Sequence, residues 1–132
     1  MQHDGDVNLY DPWVRGFEMG EVDPTTFDHR QHLYVAWCYL GVLTVEDALA
    51  RYARYLRQLV ERLGAPEKFH RTVTWYWLAV LDRAMAESPG RSFEELVAEH
   101  PELLRSESVR LRYPDLQLAG DAARRHFVWP DR

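Results

Sequence analysis

A chain of 132 residues, 46% apolar and 28% charged, has the size and balance of one soluble globular domain able to bury its own core. A formal charge of −5 and a pI near 5.6 exclude the broad basic surface that a nucleic acid or an anionic membrane demands. The single cysteine, Cys38, excludes a disulfide framework and reads as a buried inert thiol, and no run approaches the roughly 18 apolar residues of a membrane span.

Lysine and asparagine occur once each, at Lys68 and Asn8, and isoleucine not at all. GC-rich coding produces that bias, which points to a bacterial source. The opening stretch MQHDGDVNLYDP is acidic and polar, unlike a signal peptide, so the expected location is the cytoplasm.

In chain order, residues 1–24 hold several glycines, prolines and acids. They read as an irregular arm anchored by Tyr10, Trp13 and Phe17, with WVRGF suited to a short helical turn. Asp28 then offers an N-cap, with Gln31 at capping-box spacing. The spacing predicts a helix from His29 to about Leu43, apolar enough to be buried on most sides.

Thr44 caps the next helix. There Val45, Leu49, Tyr52, Leu56, Leu59 and Leu63 recur at threes and fours, arginines and acids fill the opposite face, and Gly64 and Pro66 stop the run. A third helix is expected from about Glu67 to Glu87, with the aromatic middle VTWYWLAVL. Ser92 and Glu95 frame a shorter helix that Pro101 ends. SESVRLRY and DAARRHF predict short helices, and PDLQLAG a loop. Short links favour antiparallel neighbours. The expected fold is all-α: one domain over residues 1–132, a compact bundle of three or four main helices with short C-terminal helices.

The chemistry gathers on histidines. His29 and His32 lie three apart and share a helical face in the first turn, where the helix dipole disfavours imidazolium. Neutral imidazole is the form that binds a metal. His70 sits near the start of the third helix, in line with Thr74, Trp77 and Leu81. If the first and third helices run parallel, their N-termini share one end of the bundle and His70 meets the other two.

Three imidazoles with an open position would suit Zn, Fe or Mn, with Thr74 as a supporting partner and Trp77, Tyr34 and Trp37 as pocket walls. No fourth ligand stands out among Glu18, Glu21, Glu67 and Asp131. Three readings remain open. The first is a metal-dependent enzyme acting on a small molecule. The second is a metal-free binding or acid–base protein using the same histidines. The third is a structural or partner-binding bundle in which they only satisfy hydrogen bonds.

His3, His100 and His126 read as arm, helix-end and surface residues. H-E-x-x-H, a Gly-rich phosphate loop and a Ser-His-Asp spacing are absent. A small-molecule ligand is the expected partner, with neither nucleic acid nor membrane. The plentiful apolar aromatic surface is compatible with a homodimer.

Three motifs recur in a fixed order: Phe27-Asp28-His29-Arg30-Gln31-His32-Leu33, then Phe69-His70-Arg71-Thr72-Val73-Thr74 followed by Trp77, then Ala123 to Asp131. In them the chain, from about residue 17 to 131, resembles a group of small, all-helical, functionally uncharacterised bacterial proteins. The resemblance implies a helical fold and singles out the histidine stretches, and it supplies no substrate.

Overall fold

The structure, a computed structural model, describes residues 9–111, 113 and 120–127. The chain is all-α, as its pattern predicts, and no strand occurs among the described residues. Its contacts divide it into two compact units, Met1–Pro66 and Glu67–Arg132.

In the first unit, Asp11 and Pro12 open helix α1, Pro12–Met19. The Asp11 carboxylate accepts the Trp13 amide N–H at 2.8 Å, and proline at the first helical position has no amide hydrogen to leave unpaired. The arm expected to be irregular up to residue 24 therefore contains a two-turn helix. Its stop is Gly20, at φ 72°, where a side chain would also run into the Arg62 guanidinium. Val14 and Phe17 are the buried face of α1.

Helix α2, His29–Leu40, starts where the sequence predicts. The Asp28 carboxylate accepts the Gln31 amide N–H at 3.2 Å. It ends three residues before the expected Leu43, at Gly41. Helix α3, Val45–Arg62, is capped by Thr44, whose hydroxyl accepts from the Asp47 amide, and is followed by Gly64 at φ 75°. Each of the three helices packs on the other two. The shared core includes Phe17, Leu33, Tyr39, Tyr52 and Leu59, all at most 5% exposed.

A 3₁₀ turn at Pro66–Lys68 ends the first unit and opens the second, ahead of α4, Arg71–Glu87. The helix expected from Glu67 thus begins four residues later, with His70 as its extended N-cap. Helix α5, Phe93–Glu99, carries the predicted capping box in full, Ser92 and Glu95 each bonding the other's backbone N–H. Short 3₁₀ segments follow at Pro101–Leu104 and Ser106–Leu111, then α6, Asp121–Arg125.

Helix α4 packs on α6 and on the second of these segments, and α5 on the first. Trp75 stacks on Phe127, with ring centroids 5.2 Å apart. The expected PDLQLAG loop before Gly120 and the Val128–Asp131 end of the terminal motif lie outside the described residues. No helix among the described residues is long and apolar enough to cross a membrane.

Candidate functional site

His29 and His32 stand together in the first turn of α2, as their spacing requires, and both are half-buried. The His32 ring packs on Phe27 at 4.4 Å between centroids and lies edge-on to Phe17 and Tyr52. Its Nδ1 is 2.8 Å from the Tyr52 hydroxyl. Burial, reinforced by His29 and opposed by Asp28, lowers its pKa from 6.5 to about 4. His32 is therefore neutral at pH 7, as the helix dipole argument expects, with desolvation as the main cause. Tyr52, buried beneath it, is pushed well above the ordinary phenol range and stays a neutral hydroxyl. Nε2 of His32 has no hydrogen-bond partner among the described residues.

His70 belongs to the second unit and does a different job. Its Nδ1 accepts the Val73 amide N–H at 3.2 Å, which caps α4. An accepting Nδ1 places the ring proton on Nε2. Ligation through Nε2 would require the other tautomer and would release the cap. Thr74, expected to support a metal site, donates its hydroxyl proton to the His70 carbonyl oxygen at 2.7 Å. Trp77 is buried and meets Tyr76 edge to face. Glu67 and His70 have E-x-x-H spacing, but they stand on a 3₁₀ turn and the cap after it, not on one helix face. Among the described residues, no three His, Cys, Asp or Glu side chains are grouped as a metal site would need.

Tyr34 and Trp37, the expected pocket walls on α2, stack at 5.9 Å. The Tyr34 hydroxyl donates to Asp11 at 2.5 Å, tying α2 to the start of α1. Cys38 is buried beside them, and desolvation pushes its thiol up to about 12, so it is no nucleophile.

A second constellation in the first unit centres on Glu18 of α1. Arg51 of α3 donates from Nε to Oε2 at 2.8 Å and from Nη2 to Oε1 at 3.1 Å, a two-point clamp. Tyr39 of α2, completely buried, donates its hydroxyl proton to the same Oε2. Loss of water, and after it the Glu18 carboxylate, hold the Tyr39 phenol far above its usual range, and the Glu18 carboxylate raises the Arg51 guanidinium. Arg51 also lies over the Tyr39 ring at 5.3 Å. Three helices thus meet at one carboxylate.

Beside it opens a cavity of about 270 Å³, lined by Leu9, Tyr10, Arg15, Glu18, Met19 and Arg51. The two constellations share a wall, because Tyr52 stacks on Phe17 at 5.2 Å and meets Tyr39 edge-on at 6.4 Å. In the sequence Glu18 is one loose ligand candidate among several, Tyr39 lies inside a helix expected to be buried, and Arg51 is one of the arginines on the opposite face of its helix. The only signal was an arginine beside a core tyrosine on α3, and it names no partner. Comparison with protein-family models, with curated proteins and with solved structures finds no match for the chain.

Proposed function

We propose that the protein binds a small organic molecule, and that the cavity of the first unit is the binding site. The observation that carries this reading is the Glu18–Arg51 pair at the cavity wall, held from behind by the buried Tyr39 hydroxyl. A partly buried ion pair is a weak source of stability, because desolvation offsets most of its attraction. A guanidinium held in place by the Glu18 carboxylate beside open space is instead what orients a ligand, with Leu9, Tyr10 and Met19 as the apolar wall. The test is a screen of a small-metabolite library by protein-observed NMR. Compounds should shift the resonances of Leu9, Tyr10, Met19 and Arg51 together, and a library that moves none of them sinks the reading.

A metal-dependent enzyme is the second reading, favoured by one observation. His32 is neutral, Tyr52 orients its Nδ1, and Nε2 remains for an ion, with His29 one turn away. His70, Zn, Fe and Mn belong to this reading as the sequence framed it, although the cap at Val73 does not fit His70 as a ligand. Elemental analysis of untagged protein decides it: metal near one per chain, lost in His32→Ala, supports the reading, and none after growth in supplemented medium ends it. A bacterial, cytoplasmic protein without a nucleic-acid partner agrees with the acidic charge and the one buried thiol. A homodimer and kinship with the uncharacterised helical group remain part of the same proposal.

A further inference from the structure

We infer that the cavity takes a small organic carboxylate with a compact apolar body, and that Arg15 is the residue that selects its charge; this inference rests on the binding reading above. Among the described residues, the charges lining the cavity are two guanidinium groups and one carboxylate. Glu18 is already spent, since Oε2 accepts from Tyr39 and Arg51, and Oε1 accepts from Arg51. Its charge is matched by that of Arg51. Arg15 is left over, with no side-chain partner among the described residues. The described lining residues therefore carry an uncompensated charge of +1.

A carboxylate fits the guanidinium fork with two parallel hydrogen bonds, which a neutral amide cannot match in charge. Arg51 gives only two of its five N–H donors to Glu18 and stands ready as a second contact. A cation would meet Arg15 with no free carboxylate among the described lining residues to offset it. The rest of the lining sets the body of the ligand. Tyr10 is 68% exposed and Met19 50%, so both keep apolar surface in water that a bound group would cover. A volume of about 270 Å³, near the lower end of small-molecule pockets, suits a compact body such as a single ring or a short branched chain.

The experiment titrates the whole chain with benzoate and with its neutral analogue benzamide, follows the resonances of Leu9, Tyr10 and Met19, and repeats both with Arg15→Gln. Arg15 is exposed, so the substitution leaves the core untouched. Benzoate is expected to bind at least tenfold more tightly than benzamide, and Arg15→Gln should abolish that preference. Benzamide binding as well as benzoate, or a preference that survives Arg15→Gln, overturns the charge assignment and leaves the binding reading standing. If neither compound moves these resonances, both fall.

Discussion

The two units satisfy their buried polar groups in different ways. In the second, the buried hydroxyls of Thr72, Thr74 and Ser108 all donate to backbone carbonyl oxygens, those of His126, His70 and Glu102. Arg71 and Arg124 likewise donate to the carbonyls of Arg125 and Glu67. In the first, the buried phenols of Tyr39 and Tyr52 meet side chains, Glu18 and His32. A backbone carbonyl is present whatever the residue, so such bonds fasten the chain and tolerate substitution at the acceptor. A side-chain pair depends on both identities and on positions as far apart as 18 and 51. The buried phenols of the first unit are therefore held by specific side-chain chemistry, and that is where a ligand reading finds purchase.

Deleting the centre of the first unit's network should have the largest effect. Glu18→Ala strands the buried Tyr39 hydroxyl and leaves a partly buried Arg51 charge, at a cost of about 2–3 kcal/mol. Denaturant titrations of Glu18→Ala, Arg51→Ala and the double variant give the coupling. The double variant should lose clearly less than the sum of the two, and strict additivity would mean the clamp contributes nothing specific.

His32 comes next, and its effect is visible through pH. Unfolded, the imidazole titrates near 6.5; folded, near 4. Between those values the unfolded chain binds more protons, so stability falls as pH drops from 6.5 to 4 and then levels off. The whole window corresponds to about 3 kcal/mol, and the step from pH 7 to 5 to about 2 kcal/mol. His32→Gln removes the titration. Its stability should fall by about 2 kcal/mol less than that of the parent over the same step. Equal losses would show that His32 is as easily protonated in the fold as out of it.

The second unit offers the matching, smaller test. Thr72 is fully buried and donates to the His126 carbonyl at 2.8 Å. Thr72→Val keeps the shape but orphans that carbonyl, for about 1–2 kcal/mol, whereas Thr72→Ser keeps the bond. If Ser is as damaging as Val, the methyl group matters more than the hydrogen bond, and the contrast between the units weakens.

What the sequence disclosed follows the same division. The caps at Asp28, Thr44 and Ser92 were legible because oxygen side chains at those positions bond amides two or three residues on, a purely local event. Asp11-Pro12 carried the same signal for α1, but it was masked by the surrounding glycines and acids. The Glu18–Arg51–Tyr39 cluster was not legible. Periodicity tells which face of a helix is buried, and it does not tell which residue of another helix the face will meet. Phe17 and Tyr52 could be assigned to a core in advance; the carboxylate that joins three helices at its edge could not.

His70 shows the limit most sharply, because its role is local and an imidazole still gives no capping signal. An imidazole is not among the usual N-caps, so FHRTVTW reads as helix throughout, and His70 as a residue on its face. In the fold its Nδ1 does what an Asp or Ser oxygen does at the other helix starts. Removing it in His70→Ala should cost about 1 kcal/mol of stability. His70→Asn supplies a better capping group of similar reach and should return the protein to within a few tenths of a kcal/mol of the parent. Thermal melts of the two variants separate the roles. Recovery with Asn means that His70 serves the helix. Should Asn lose as much as Ala, or recover stability while losing ligand or metal binding, the imidazole has a task that no cap can replace.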